Sequence, residues 1–217
     1  MDPKVDIVVN GNKSAADAPF PASLDATLGP GMFAAALREI SSWPGYQQTP
    51  LRHLTSLAGE LGLADIAYKD EADRFGLGSF KALGGAYAVL RCLERALRDA
   101  GITGPVTAAD LTAGRYSDIV STITVTSATD GNHGRSVAWG ARLFGCRAVV
   151  FVHAHVSEGR CKAIEAYGAD VNRVPGNYDD SVRHAFEVAA REGWFVVQDT
   201  ATADYREIPA DITCGYG

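Results

Sequence analysis

The sequence has no apolar run long enough to cross a membrane and no excess of basic residues. Its 217 residues include 20 Lys and Arg against 26 Asp and Glu, for a formal net charge of −6. A membrane-spanning helix needs about 20 apolar residues, and nucleic-acid-binding surfaces need clustered basic side chains. The first ten residues carry Asp2, Lys4 and Asp6 and lack the apolar core of a signal peptide. We therefore expect a cytoplasmic protein whose partners are neither nucleic acids nor membranes.

Cysteine is scarce, and the spacing of typical metal ligands is absent. No CxxC pair occurs among the four cysteines, which are Cys92, Cys146, Cys161 and Cys214. We expect reduced thiols, mostly in the core of a cytosolic protein. His153 and His155 stand two residues apart without an evident third ligand, so no metal site is expected.

The composition, 47% hydrophobic and 21% charged, is typical of a globular protein. From residue 122 onwards, apolar strands alternate with amphipathic helices over short links. Strands are predicted at 123–126, 147–152, 169–174 and 194–198, and helices at 132–144, 157–167 and 178–192. Earlier in the chain, helices are predicted at 32–40, 54–61, 80–100 and near 108–111, and strands at 5–9 and 64–69. The alternation predicts an α/β fold, a parallel sheet with helices on both faces.

One lysine stands in a segment, residues 70–87, that runs from a short strand into a helix rich in Ala and Leu. Lys81 lies at the start of this helix, where Phe80 and Leu83 are expected to pack against its stem. Removal from water lowers the pKa of a lysine and so favours its neutral amine, which can attack an aldehyde. The alternative is a solvated lysine at the start of an ordinary helix.

The loop at residues 127–134 follows a predicted strand and opens a predicted helix. Ligands of parallel sheets bind at the carboxyl ends of strands. Backbone N–H groups and the helix dipole at such a point favour an anion such as a carboxylate. The alternative is an ordinary helix start, in which Thr129 or Asp130 is the cap and Gly131 makes the turn.

Taken together, the two segments resemble the fold type II family of pyridoxal-phosphate enzymes, and within it the ammonia-lyases of 2,3-diaminopropionate. The resemblance runs from about Leu24 to the last residue, and three stretches carry it. The first, residues 69–88, contains Phe80-Lys81, and the second, residues 128–139, contains Thr129-Asp130-Gly131-Asn132-His133-Gly134. The third, residues 177–209, contains Asn177-Tyr178-Asp179-Asp180 and Gln198-Asp199-Thr200-Ala201. The second stretch is the specific one, because most relatives have Ser or Thr where Asp130 stands.

The resemblance implies a cofactor, pyridoxal 5'-phosphate, and a role for each matching residue. Lys81 would hold the cofactor as a Schiff base and act in catalysis, and Phe80 and Asn132 would contact the cofactor, Asn132 through its ring hydroxyl oxygen. Asp130 would be a second catalytic base. The substrate carboxylate would be received by the rest of the loop, which comprises Ala128, Thr129, Gly131 and His133.

The implied reaction removes the β-amino group of D- or L-2,3-diaminopropionate to give pyruvate and ammonia. Lys81 on one face and Asp130 on the other would each take the α-proton of one enantiomer. The rivals are a threonine or serine dehydratase, which Asp130 argues against, and a non-catalytic remnant of the scaffold. The partners implied are a small amino-acid substrate and a second copy in a homodimer.

The sequence does not contain a glycine-rich phosphate loop after Asp130, nor a candidate to face the pyridine nitrogen. Family members look longer, so we expect an N-terminal portion, an incomplete fold type II enzyme with weak or no activity by itself. Residues 1–84 would begin the larger cofactor domain, 85–200 would form the smaller α/β domain, and 201–217 would start the return to the larger one.

Overall fold

The computed structural model describes residues 27–217 of the chain. Its helices are α1 (Pro30–Ser41), α2 (Thr55–Glu60), α3 (Lys81–Asp99), α4 (Ala108–Thr112), α5 (Ser117–Val120), α6 (Asn132–Phe144), α7 (Glu158–Glu165), α8 (Tyr178–Glu192) and α9 (Glu207–Tyr216). Its strands are β1 (Leu51–His53), β2 (Ala67–Lys69), β3 (Thr124–Ala128), β4 (Arg147–His153), β5 (Asp170–Val174) and β6 (Phe195–Val196), and a 3-10 turn covers Arg74–Gly76. The strand predicted at 5–9 lies outside the described residues.

The main sheet has four strands in the order β5-β4-β3-β6, and every neighbouring pair is parallel. The pairing of β3 with β4 runs from Thr124 opposite Arg147 to Ala128 opposite Phe151. A separate antiparallel pair joins β1 to β2. The predicted parallel α/β sheet is therefore confirmed, and all its strands point their carboxyl ends towards one edge.

Both faces of the main sheet are covered by helices, as predicted. Along β4, Val150 and Val152 belong to the large core that also contains residues of α3, α6 and α7. Their neighbours Val149 and Phe151 belong to a second cluster with Ala185 and others of α8. This alternation follows from the two-residue period of a strand. It explains why β4 reads as an unbroken apolar run.

Helix α3 is held at very short range by α6 and α9, and glycines make this approach feasible. Gly84 lies against the backbone carbonyl of Ile212 and the ring of Tyr216, and Gly215 of α9 lies against Gly84 in return. A Cβ atom on Gly140 of α6 would lie 2.8 Å from the Cα atom of Ala86. The start of α3, which carries Lys81, is thereby fixed from two sides.

We expect Gly84→Ala to destabilise the fold by about 1–3 kcal/mol, the usual result of overpacking, because the added methyl group meets backbone atoms that cannot rotate away. Chemical unfolding would measure this change. Gly59→Ala in α2 is the matched control, since no atom lies within 4 Å of its added methyl group. Equal stability of the two variants would contradict the close approach of α3 and α9.

The turn before Lys81 is strained and is stabilised by packing. Phe75 has φ +49°, a left-handed conformation unusual for a non-glycine residue. Its ring lies 4.8 Å from that of Trp139 and 6.0 Å from that of Trp43. The buried guanidinium of Arg74 binds the Glu71 carboxylate at 2.7 Å. These contacts hold the segment that delivers Lys81 to the sheet.

The structure differs from the sequence-based elements where local patterning is weakest. The strand predicted at 64–69 is shortened to β2, and the one predicted at 194–198 to β6. Helices α5 and α9 were not predicted, because α5 spans only four residues and α9 contains Pro209 and Gly215. The division of the chain at residues 84 and 200 stays a prediction. None of the helices in residues 27–217 is both long and apolar enough to cross a bilayer.

Candidate active site

The carboxyl edge of the main sheet gathers polar groups from three neighbouring strands. Asp130 follows β3, His153 ends β4, and Asp199 follows β6. Lys81 reaches the same edge from the start of α3. A cleft of about 210 Å³ lies there, and its lining comprises Lys81, Ala128, Thr129, Asp130, Gly131, Asn132, His133, Tyr178 and Asp199. Seven of the eight site residues predicted from the sequence therefore lie together.

Lys81 contacts a carboxylate. Its Nζ donates a hydrogen bond of 2.5 Å to Oδ2 of Asp199, 118 residues further along the chain. The lysine side chain is 32% exposed and that of Asp199 is 22% exposed. Ser79 Oγ accepts from the N–H of Lys81 and so satisfies the start of α3. Lys81 is thus a partly accessible side chain paired with a carboxylate, and its role in holding a cofactor stays a prediction.

The surroundings of Asp199 keep it ionised. Burial alone would raise the pKa of the Asp199 carboxyl, but the His133 ring and the Lys81 ammonium outweigh burial and lower it. His133 Nδ1 lies 3.7 Å from the Asp199 Oδ2 atom. The His133 ring is buried, and its Nε2 donates to the carbonyl oxygen of Val197 at 2.8 Å. Lys81, Asp199 and His133 therefore form one coupled group at the floor of the cleft.

A buried amide side chain ties β3 to the segment that carries Asp199. Gln198 Oε1 accepts from the Ala128 N–H and from Ser127 Oγ, both at 3.2 Å. Its Nε2 donates to the hydroxyl oxygen of Tyr178 at 2.6 Å. Burial raises the pKa of Tyr178, so its phenol stays protonated near neutral pH. This network fixes two walls of the cleft relative to each other.

The loop after β3 combines both sequence-based interpretations. Thr129 Oγ1 accepts from the N–H groups of Gly131 and Gly134, at 3.0 and 3.1 Å, as a helix-capping residue does. Among residues 27–217, no acceptor contacts the N–H groups of Asn132 and His133. Those two donors, at the positive end of α6, remain available for an anion.

Asp130 points to a partner that the sequence reading did not pair with it. Its Oδ1 lies 3.1 Å from Nε2 of His153, and its side chain is 55% exposed. Phe80 does not line the small cleft. It is exposed, packs edge-to-face on Tyr216 at 5.0 Å, and lines a neighbouring cavity of about 550 Å³. Its contact with a cofactor stays a prediction, as do the assigned roles of the other site residues.

Sequence reasoning missed Asp199, Gln198 and the pairing of His153. Asp199 was part of the third matching stretch, but no role was given to it. A signal was present, because Asp199 follows an apolar strand in the same way as Asp130 does. The contact with Lys81 could not be read from the sequence, since it depends on how α3 meets the sheet.

A lysine beside the carboxyl edge of a parallel sheet, facing a loop that opens a helix, defines the class of this protein. Residues 42–216 match the family model described as pyridoxal-phosphate dependent enzyme, and the chain belongs to that family. Within it, the chain is similar to the diaminopropionate ammonia-lyase of Salmonella typhimurium, with 42% identity over 180 residues that cover 80% of this chain and 42% of the relative. The enzyme of Escherichia coli K12 is 39% identical over 176 residues, which cover 79% of this chain and 42% of the relative.

Two solved structures similar to this chain are also diaminopropionate ammonia-lyases. The crystal structure of Escherichia coli diaminopropionate ammonia-lyase in complex with D-serine has a TM-score of 0.79 at 36% identity, covering 88% of this chain and 47% of that one. The same enzyme in complex with an aminoacrylate-PLP azomethine reaction intermediate has a TM-score of 0.73 at 36% identity, covering 88% and 46%. The chain thus spans somewhat less than half the length of the relatives it matches.

The buried histidine gives a testable pH dependence of stability. Burial lowers the pKa of His133 because the charged ring loses its water. The folded protein therefore binds fewer protons here than the unfolded chain, in which a histidine titrates near pH 6.5. The contribution of His133 to stability is complete above about pH 6.5 and is lost as the pH falls below it.

When the pH is lowered from about 6.5 to 5, we expect the free energy of unfolding to decrease less in His133→Gln than in the unchanged protein. The reason is that a glutamine amide can donate to Val197 without titrating. Urea unfolding at a series of pH values would measure this. His184→Gln, which replaces an exposed ring of α8, is the control. An unchanged slope in His133→Gln would contradict a buried neutral ring.

Proposed function

We propose that this chain carries the lysine side of the active site of a pyridoxal-phosphate-dependent carbon–nitrogen lyase that acts on 2,3-diaminopropionate. The observation that carries the proposal is the convergence of Lys81, Asp199 and Asp130 on one cleft at the carboxyl edge of the sheet. The identity of about 40% to two diaminopropionate ammonia-lyases supports the choice of substrate. The products expected are pyruvate and ammonia.

The residues present fit the cofactor at its aldehyde and ring. Lys81 Nζ is accessible within the cleft, and a lysine amine is the group that binds an aldehyde. Asp199 binds the Lys81 ammonium and so holds its Nζ in the cleft. Asn132 lines the same cleft with an amide able to donate to a ring oxygen. The cofactor, when bound, supplies an electron sink for negative charge at the α-carbon.

The substrate is bound and deprotonated by the chain's own groups. The N–H groups at the start of α6 receive the substrate carboxylate, helped by the positive end of the helix dipole. Lys81 takes the α-proton of one enantiomer. Asp130, which lines the same cleft, takes the α-proton of the other. Two bases at separate positions give a reason for the acceptance of both the D and the L substrate.

A threonine dehydratase is the second candidate. One such relative, the biosynthetic L-threonine dehydratase of Pasteurella multocida, is 27% identical over 143 residues, covering 66% of this chain and 23% of the relative. The lower identity and the carboxylate of Asp130 favour the lyase. A non-catalytic remnant of the scaffold is the third candidate. The exchange experiment described next compares the three candidates.

The test is the exchange of the substrate α-proton for deuterium, followed by NMR in D₂O with added pyridoxal phosphate. This step comes before elimination, so it reports the bases directly even where turnover is slow. We expect faster exchange with both enantiomers of diaminopropionate than with L-threonine. Exchange confined to L-threonine would favour the dehydratase, and exchange with none of the three would show that this chain is non-catalytic by itself.

We further propose a cytoplasmic location and assembly as a homodimer. The first is supported by the four cysteines, none of which forms a disulfide. The second is supported by four exposed apolar side chains in and next to β1 and α2, each more than 40% exposed: Leu51, Leu57, Leu61 and Leu63. Sedimentation of the purified protein would decide between monomer and dimer.

A further inference from the structure

We infer that His153 is the positioning residue of Asp130, the side chain that sets where this carboxylate points in the cleft. The inference rests on the proposed function, because it assigns to His153 an effect on only one of the two proposed bases. No motif in the sequence links the two residues, which are 23 positions apart. The link is made by the sheet.

The pairing follows from the register of two parallel strands. From Thr124 opposite Arg147 to Ala128 opposite Phe151, each residue of β3 lies opposite the residue 23 positions later in β4. Asp130 and His153 continue the same offset beyond the last pair. A register shift of one residue would turn either side chain to the other face. The register of β3 and β4 therefore brings Asp130 and His153 to neighbouring positions at the carboxyl edge of the sheet.

The His153 ring is held more firmly than the carboxylate it faces. His153 is the last residue of β4, a central strand, and lies opposite Val174 of β5 on its other side. Its side chain is 19% exposed, against 55% for Asp130. The Asp130 side chain follows the end of its strand and has no other ion-pair partner among residues 27–217. The histidine is thus the more buried partner, fixed within a strand, and the carboxylate is the more exposed one.

A backbone contact determines which ring nitrogen carries the proton. The N–H of His155 donates to Nδ1 of His153 at 3.2 Å, so Nδ1 must carry a lone pair. In the neutral ring the proton is then on Nε2, the atom that lies 3.1 Å from Asp130 Oδ1. The turn after β4 therefore presents a donor to the carboxylate. The contact depends on the backbone of His155 and not on its side chain.

This contact is suited to orientation rather than to stability. Exposed ion pairs contribute little to the free energy of folding, so its removal is expected to leave the fold intact. A reacting group misplaced by about 1 Å can lose much of its rate. His153 is therefore expected to affect proton transfer by Asp130 without affecting folding or the reaction at Lys81.

The first experiment is NMR of the 15N-labelled histidine rings in the full 217-residue chain, which contains only five histidines. In neutral rings we expect the His153 proton on Nε2, and we expect Asp130→Asn to shift the Nε2 signal. Asp65→Asn, which removes the partner of His53, is the control that leaves His153 unchanged. A proton on Nδ1, or a signal indifferent to Asp130→Asn, would overturn the inference.

The second experiment compares α-proton exchange of the two enantiomers with added pyridoxal phosphate. We expect His153→Leu to slow exchange of the enantiomer that depends on Asp130 by about 10- to 100-fold, as for other residues that orient a reacting group. Exchange of the other enantiomer stays unchanged, and His153→Gln, which keeps a donor, recovers part of the rate. His155→Leu is the matched control, because it keeps the backbone N–H.

Equal slowing of both enantiomers, or no slowing of either, would show that His153 does not position Asp130. Should the unchanged protein exchange neither enantiomer, the proposed function would fail by itself. The NMR measurement would then still decide whether His153 holds the carboxylate. The two failures are therefore distinguishable.

Discussion

We expect Lys81→Ala to remove the visible absorption band that pyridoxal phosphate gives when bound to a protein lysine. We also expect it to slow α-proton exchange by at least about 100-fold for the enantiomer of diaminopropionate that Lys81 deprotonates, the scale of a lost general base. Among residues 27–217, Lys81 is the only lysine that lines the small cleft, and its Nζ is in contact with Asp199. The absorption of the protein mixed with the cofactor and then dialysed measures the first effect.

Two controls make this result specific. Lys162→Ala removes an exposed lysine of α7 and is expected to change neither the absorption band nor the exchange. Lys69→Ala removes the lysine that lines the neighbouring larger cavity and donates to the carbonyl oxygen of Thr49. Retention of the band in Lys81→Ala together with its loss in Lys69→Ala would move the cofactor site to that cavity.

The second large effect is expected from Asp130→Asn, and it is selective. Asparagine keeps the size of the side chain but cannot accept a proton at neutral pH. We expect exchange of one enantiomer to fall by about 100- to 10,000-fold, the range for general base catalysis, while the other enantiomer is affected far less. The ratio of the two rates, measured on one protein sample, is the decisive quantity because it cancels differences in cofactor content.

Asp199→Asn provides the contrast. Asp199 contacts Lys81 and His133. Its loss is therefore expected to disturb the position of Lys81 and to slow α-proton exchange of the enantiomer that Lys81 deprotonates. If Asp130→Asn changed neither rate while Asp199→Asn abolished one enantiomer selectively, the second base would be Asp199. Asp199 is the alternative to test because it lines the same cleft as Asp130.

Most regular elements of the second half were predictable because local and global preferences agree there. The predicted helices at 132–144 and 178–192 coincide with α6 and α8, which end at Gly145 and Gly193 in left-handed conformations. At the start of α8, Asn177 and Asp180 bind each other's backbone N–H groups, as the acidic residues at this point indicate. Capping residues and terminal glycines of this kind act within a few residues, so they can be recognised in the sequence.

The elements that were shortened or missed depend on contacts with distant residues. Helix α9 has a proline and a glycine in ten residues, and it lies against α3 through Gly215 and Gly84. Asp211 on its inner face is buried and binds Arg91 and Arg95 of α3. The local sequence does not predict this helix, because its stability comes from packing against α3.

For the site, the sequence alone determined the residue types and their order: a lysine at a helix start, and a loop with Asp130 and Asn132 at the end of a strand. It also indicated the family to which the chain belongs. Only the tertiary structure decided the pairs, Lys81 with Asp199 and Asp130 with His153. The physical reason is that a helix start or a strand end is encoded within a few residues. Which of these ends meet is set by the register of the sheet and by the glycine contacts of α3, which join residues far apart in the chain.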